Sequence, residues 1–362
     1  MISARAAVLR AAGQDPQLTA IELRDPVADE VLVRIEAVGI CHTDISVASW
    51  FSKVPMVFGH EGTGTVVAAG PRAQDRIGAR VVLTFASCGT CANCAGDRPA
   101  YCDQSTNLNM RGSRRDDTSA LCLDGEPITG GFFGQSSFAT YAIARSRNAV
   151  TLPEGIDPAL AAPLGCSVQT GAGAVLNVLT PAADDAVVVF GAGAVGLSAV
   201  MGARIARCRT VIAVDPIAAR RELATELGAT HTFDPAGTDI PAAVLELTGG
   251  AAAVIDTTAR PEVVASAVGL LRSRGTLALL GLGAPMAELP VALIMAKGIT
   301  VRGVVEGDSD PHVFIPYLAD LHLRGELPLD KLVTSFPFDD FGRVWSAAKA
   351  AEVIKPVLVT SD

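Results

Sequence analysis

Val187-Val188-Val189-Phe190-Gly191-Ala192-Gly193-Ala194-Val195-Gly196 is the stretch whose reading decides the fold. An apolar, mostly β-branched run passes straight into G-x-G-x-x-G, and an apolar, Ala-rich segment follows. Such a run predicts a buried strand, a tight turn and a helix. Gly191 permits the turn. Gly193 lets the backbone approach a pyrophosphate at the helix N-terminus, where orphan N–H groups and the helix dipole favour an anion. Gly196 allows close packing of helix on strand, and Val195 lies in the same first turn. Asp215 ends the next apolar run, 24 residues after Gly191. A carboxylate there accepts hydrogen bonds from ribose hydroxyls and repels a 2′-phosphate, so NAD is expected over NADP. Arg220, five residues on, can reach the same ribose and leaves that preference open.

The texture around this motif alternates. Ala159–Leu179 reads as helix, then Ala186–Phe190, Thr210–Asp215, Ala251–Asp256 and Gly275–Leu280 read as strands. Between them Gly196–Ala206, Ile217–Leu227 and Pro261–Leu271 read as helices. Strands alternating with helices of this length predict βαβ units and a parallel, doubly wound sheet. Upstream, Glu30–Val38, Gly62–Ala68, Arg80–Phe85 and Ser137–Ile143 read as short strands, and Asp124-Gly125 as a hairpin turn. That pattern predicts a barrel-like β domain. The chain closes on another strand, Lys355–Thr360, expected to rejoin the first domain. The organisation read from these signals is a β-rich domain over 1–157, a nucleotide-type domain over 158–297, and a return to the first domain over 298–362.

Length and composition agree with this. At about 150 residues per domain, 362 residues make about two domains. With 49% hydrophobic and 19% charged residues the chain is not a disordered one. A net charge of −9 argues against a nucleic-acid partner. Arg5 and Arg10 interrupt the N-terminal apolar run, which does not read as a secretory signal. Ala186–Ile205 has one charge, yet its glycines and β-rich start read as strand and helix, not as a membrane span. A cytoplasmic protein with no membrane partner is expected.

In a reducing compartment, clustered cysteines read as metal ligands before disulfides. Of the 8 cysteines, Cys88, Cys91, Cys94 and Cys102 form C-x2-C-x2-C-x7-C, within a loop spanning 88–102. Two-residue spacers let thiolates converge on one tetrahedral ion, and four sulfurs leave no open position, which marks a structural zinc. An iron–sulfur cluster takes similar spacing and is the weaker reading, as are disulfides. Cys122 and Cys208 are expected to be inert thiols.

Three further segments carry ligand-type residues: Gly39-Ile40-Cys41-His42-Thr43-Asp44, Gly59-His60-Glu61-Gly62 and Pro163-Leu164-Gly165-Cys166. Each alone is unremarkable. Together with the four-cysteine loop and the glycine turn, they make the chain resemble the zinc-dependent medium-chain alcohol dehydrogenases over essentially its whole length. PLGCSVQTGAGAVL (163–176), FFGQSSFATY (132–141) and EGDS (306–309) are similar to its aryl-alcohol (benzyl alcohol) branch, which includes terpene alcohol enzymes.

The resemblance implies an α/β chain made of a GroES-like catalytic domain and a Rossmann domain, with the chemistry between them. It implies Cys41, His60 and Cys166 as ligands of a catalytic zinc, with Glu61 as an acidic residue beside the metal. Asp44 then orients the ligand histidine, Thr43 meets the substrate oxygen and starts a proton relay, and His42 contacts the cofactor pyrophosphate. One position departs from the pattern: where several relatives end the relay on a histidine, this chain has Ser46, which passes a proton through water but is no base near neutral pH. Two zinc ions per chain, NAD, a primary aryl or allylic alcohol or its aldehyde, and a homodimer or homotetramer are implied. Trp50, Phe51 and Phe85 are the aromatic residues offered for the substrate slot. The competing readings are a thiol-dependent formaldehyde dehydrogenase of the same branch and a non-catalytic NAD-binding zinc protein.

Overall fold

Strand Ala186–Phe190 lies inside a six-stranded parallel sheet. In a computed structural model that describes residues 1–113 and 118–361, the sheet runs in space as His231–Phe233, Thr210–Val214, Ala186–Phe190, Ala251–Asp256, Leu271–Leu279 and Thr300–Gly303. Numbered within the sheet, that order is 3-2-1-4-5-6, the doubly wound arrangement of dinucleotide-binding domains. Val187, Val188 and Val189 are fully buried, as sheet residues covered on both faces must be. Helix Ala194–Ile205 follows at once and buries most of its length. The stretch that mimics a membrane span is therefore a strand plus a short helix, and no single helix among the described residues is long and apolar enough to cross a membrane.

This sheet belongs to one of two compact units, Ser167–Ser309. The other combines Met1–Cys166 with Asp310–Asp362. The junctions read from sequence near 157 and 297 fall somewhat earlier. The last strand of the parallel sheet, Thr300–Gly303, is short and largely exposed, so it carries little hydrophobic signal.

The discontinuous unit is built on two sheets. One joins Met56–Val57, Ile2–Leu9, Gln17–Leu23, Leu121–Leu123 and Glu126–Ile128. The other runs Ala149–Thr151, Arg80–Leu83, Glu61–Ala69, Glu30–Gly39, Lys355–Val359 and Val333–Pro337, with Tyr141–Arg145 also paired to Glu30–Gly39. Lys355–Val359 does rejoin the early strands, pairing Val357 with Gly39 and Leu358 with Val38. The hairpin signal holds: Asp124 (φ 53°) and Gly125 (φ 82°) close Leu121–Leu123 on Glu126–Ile128 through a turn with both central residues left-handed. Aromatic side chains from distant segments fill the core, among them Phe58, Phe132, Phe138, Phe341 and Trp345.

Two expected elements differ. The helix read over 159–179 breaks at Cys166, whose backbone leaves the helical region (φ −149°, ψ −81°) after a 3-10 turn over Ala162–Gly165 that contains Pro163. Proline cannot continue the hydrogen-bond ladder, and alanine content alone hides that stop. The strand read from Ser137 begins at Tyr141, because the backbone before it pairs elsewhere: Phe138 N–H donates to the Phe58 carbonyl at 3.0 Å, Ala7 N–H donates to the Phe138 carbonyl at 2.9 Å, and Ala139 bridges Ala6.

Candidate active site and metal centres

Cys41 caps the helix His42–Ala48, and the third residue of that helix, Asp44, folds its carboxylate back to accept the Cys41 N–H at 3.0 Å. This reciprocal cap fixes the loop that carries Cys41. The other Asp44 oxygen accepts the Gly59 N–H at 3.1 Å and lies 2.8 Å from His60 Nδ1. Asp44 is fully buried, and His60 nearly so. A carboxylate at Nδ1 places the proton there and turns the Nε2 lone pair the other way. His60 Nε2 is buried and meets no hydrogen-bond partner among the described residues.

Facing it are the Cys41 and Cys166 sulfurs. One ligand atom each from Cys41, His60, Glu61 and Cys166 lie within 4.8 Å of one another, all four side chains buried. An orphaned imidazole nitrogen among two sulfurs and a carboxylate is a donor set that zinc satisfies. Electrostatics agree. A hydrogen bond with Cys166 holds the Cys41 thiol well below its ordinary value against the cost of burial, helped by Lys355 and His60. Burial alone would push His60 down, but the charge and hydrogen bond of Asp44, with Cys41, hold it well above.

Glu61 turns both oxygens to Lys355, whose Nζ donates at 3.0 and 2.9 Å and also to the Ile40 carbonyl at 3.3 Å. Burial raises the Glu61 carboxyl, as does Cys41, while the lysine opposes that rise. Burial would lower Lys355, yet Glu61, Cys41 and Cys166 together hold it above its usual value and therefore charged. Nothing in the local sequence marked this lysine; its one signal is a cation opening an otherwise apolar strand, Lys-Pro-Val-Leu-Val.

Two aromatic side chains beyond those offered for the substrate slot pack on the His60 ring. Trp50 is 61% exposed, Phe51 packs edge-on against Phe58 in the core, and Phe85 is buried. Phe133 instead stacks on the His60 ring (centroids 4.5 Å, 26° between planes), and Phe132 meets the same ring edge-on at 5.6 Å. Phe133 sits at φ 49°, a left-handed conformation that a bulky residue adopts only when its surroundings impose it. Ser136 Oγ accepts the Gly131 and Phe132 N–H groups at 2.7 and 3.0 Å and donates to the Val57 carbonyl at 2.6 Å. Gln135 Nε2 donates to the His60 carbonyl at 2.9 Å. The Phe-Phe-Gly-Gln-Ser segment thus clamps the strand end that carries His60. Thr43 and Ser46 are half-buried on the helix after Cys41, and His42 is exposed there.

The four-cysteine loop converges as its spacing predicts, with all four sulfurs within 4.8 Å. Cys88 and Cys94 sulfurs are 3.9 Å apart, and those of Cys91 and Cys102 are 4.0 Å apart. Sulfurs at the corners of a tetrahedron around zinc, each ~2.3 Å from the metal, stand ~3.8 Å apart, whereas a disulfide needs ~2.05 Å. Backbone N–H groups of Thr90 and Cys91 point at Cys88 Sγ (3.4 and 3.3 Å). Led by the Thr90 amide, they bring its thiol down to about 5.

In the unit Ser167–Ser309, Gly191 adopts φ 89° at the turn. A Cβ on Gly196 would stand 1.7 Å from the Gly191 carbonyl oxygen, so no other residue fits, while a Cβ on Gly193 would meet nothing within 4 Å. The first glycine contact is packing, and the second leaves backbone open to a ligand. Asp215 is 3% exposed and accepts the Ala192 and Ile217 N–H groups, both at 2.8 Å. It therefore braces the glycine turn. Val195 and Arg220 are half-buried.

Residues 194–322 match the zinc-binding dehydrogenase family, and 27–154 match the alcohol dehydrogenase GroES-like domain. Geraniol dehydrogenase of Castellaniella defragrans is 44% identical, over 99% of this chain and 98% of its own length. The chain belongs to the zinc-dependent medium-chain alcohol dehydrogenases. Within that family, a zinc-binding alcohol dehydrogenase domain protein of Burkholderia ambifaria superposes with a TM-score of 0.96 at 44% identity, covering 99% of each chain. Benzyl alcohol dehydrogenase of Acinetobacter calcoaceticus superposes equally well, TM-score 0.96, at 37% identity over the full length of both.

Proposed function

We propose that this family member oxidises a primary alcohol beside an aromatic ring or a double bond, and reduces the corresponding aldehyde, with NAD. The observation that carries the reading is the partnerless, buried Nε2 of His60, oriented by Asp44 toward the Cys41 and Cys166 sulfurs. Cys41, His60 and Cys166 would hold one zinc, and Cys88, Cys91, Cys94 and Cys102 a second. Bound at the first set, zinc supplies Lewis acidity to an alcohol or aldehyde oxygen. NAD, taken up at the Gly191–Gly196 turn with Val195, Asp215 and Arg220 as further contacts, would supply the hydride acceptor.

The protein's own part is positional. Asp44 holds the His60 tautomer and ring plane, so the donor atom is aimed before anything binds. Thr43, on the first turn after Cys41, would accept the proton that the alcohol gives up as it donates its own onward, and Ser46, one turn on, would pass a proton outward to water. Phe133, backed by the buried Phe132, shields the His60 face from water and offers flat apolar surface to a planar conjugated group. Geraniol and benzyl alcohol, the substrates named for two relatives, share a primary carbinol next to an sp² carbon. Such a substrate gains conjugation as the aldehyde forms, which lowers the cost of hydride loss.

The test is a panel of benzyl, cinnamyl, geranyl and short aliphatic alcohols under NAD and NADP, with formaldehyde plus a thiol as a further arm, and metal analysis on the same preparation. The reading expects two zinc per chain and highest kcat/KM with conjugated primary alcohols and NAD. One zinc or none, or preference for the formaldehyde–thiol pair, overturns it. Size measurement tests the homodimer or homotetramer that the family resemblance implies.

A further inference from the structure

Glu61 presents a choice that the ligand set alone does not resolve. Its carboxylate lies within 4.8 Å of the Cys41, His60 and Cys166 ligand atoms, and carboxylates are ordinary zinc ligands. If it joined them, the metal would have four protein donors and no position for a substrate oxygen, the closed arrangement of a structural site. Something must hold it aside. We propose that Lys355 is the positioning residue that keeps Glu61 out of the zinc ligand set and so keeps the fourth coordination position open; this rests on Cys41, His60 and Cys166 binding zinc, as proposed above.

The geometry is specific. Lys355 Nζ contacts both carboxylate oxygens, at 3.0 and 2.9 Å, leaving neither turned away from it. The side chains are 2% and 0% exposed, so water does not compete for either charge. Lys355 is itself tethered: its third contact is the Ile40 carbonyl, Ile40 N–H donates to the Pro356 carbonyl at 2.9 Å, and Val357 is paired with Gly39. Gly39 supplies the space. A Cβ there would stand 2.1 Å from Glu61 Oε2, so the carboxylate is parked over a residue that has no side chain. A buried carboxylate needs a cation. The strand Lys355–Val359 delivers one that is not the metal, which leaves the metal site three-donor.

The full chain with cobalt(II) in place of zinc tests this, because thiolate-bound cobalt reports its donor set in its visible spectrum. Lys355→Met should change the d–d bands as a carboxylate takes the open fourth position, and slow cobalt loss to a chelator by about tenfold, the scale on which groups around a ligand change metal affinity. Lys355→Arg, which can still pair with a carboxylate, should keep the native spectrum. Lys355→Met combined with Glu61→Gln should restore it. A purely structural ion pair would lower thermal stability in Lys355→Met and leave its spectrum native, which would overturn the proposal. Should Lys355→Met not fold, Glu61→Gln decides. An unchanged spectrum supports a carboxylate held aside, and loss of a ligand signature overturns it. Failure of cobalt to load beyond the four-cysteine loop would overturn the zinc reading and this proposal together. A loaded but unresponsive Lys355→Met overturns the proposal alone.

Discussion

Asp44→Asn is the substitution that most directly probes how the fold prepares its ligands. It preserves volume and removes one acceptor, and the three donors around the carboxylate make the consequence calculable. One oxygen faces the Cys41 N–H, and the other faces the Gly59 N–H and His60 Nδ1. In one rotamer the new amide N–H₂ confronts the Cys41 N–H, donor against donor. In the other it confronts the Gly59 N–H and forces His60 to accept at Nδ1, which moves the imidazole proton to Nε2, the atom aimed at the sulfurs. Each unsatisfied buried group costs ~1–3 kcal/mol, and a unit of this size loses ~2–4 °C of Tm per kcal/mol. Loss of an orienting partner typically weakens metal binding ~10–100-fold, or ~1.4–2.7 kcal/mol. The assay is zinc competition against a colorimetric chelator. The four-cysteine loop serves as internal control, since it shares no residue with Asp44 and should keep its ion. A folded Asp44→Asn protein that holds both zinc ions with native affinity would refute the argument that Asp44 sets the donor atom.

Three further outcomes are expected. Phe133→Ala should lower the ratio of kcat/KM for benzyl alcohol over a short aliphatic alcohol by about tenfold or more, because the ring stacked on His60 supplies apolar contact that only the larger substrate uses; an unchanged ratio would place the substrate elsewhere. Asp215→Ala should weaken NAD binding and narrow its preference over NADP. It should also lower Tm, since it frees the Ala192 and Ile217 N–H groups, and an unaltered cofactor ratio would reduce Asp215 to a brace. Burial, aided by Asp185, raises the Cys208 thiol to about 11, so at pH 8 roughly one in a thousand is thiolate and alkylation should be slow, rising ~tenfold per pH unit until near 11. Rapid labelling of Cys208 at pH 7 would contradict this.

What could be read in advance followed the range of each signal. The glycine turn, the four-cysteine loop and the Asp124-Gly125 hairpin declare themselves within a few residues, because local geometry demands those residue types. Cys41, His60 and Cys166 lie far apart in the chain, and family resemblance, not spacing, suggested that they meet. Lys355 escaped because a lysine is buried only when a carboxylate awaits it, and Glu61 is brought to it by pairing between distant strands. Phe132 and Phe133 were visible as part of a resemblance but not as walls, since only the left-handed turn at Phe133 aims that ring at His60. Conversely, Phe51 was picked by proximity in sequence and proves to be core.

The insertion of Ser167–Ser309 between the two parts of the other unit fixes an order of assembly during synthesis. A ribosome releases Cys41, His60 and Glu61 first, then the whole contiguous inserted unit, and only afterwards the strand Lys355–Val359 that pairs with Glu30–Gly39. Until that strand arrives, Glu61 has no Lys355 and the sheet has an open edge, while the inserted unit is already complete in sequence. A nascent chain that takes up metal early would do so with Glu61 still unrestrained, so on the proposed reading the final strand would withdraw a ligand as well as close a sheet.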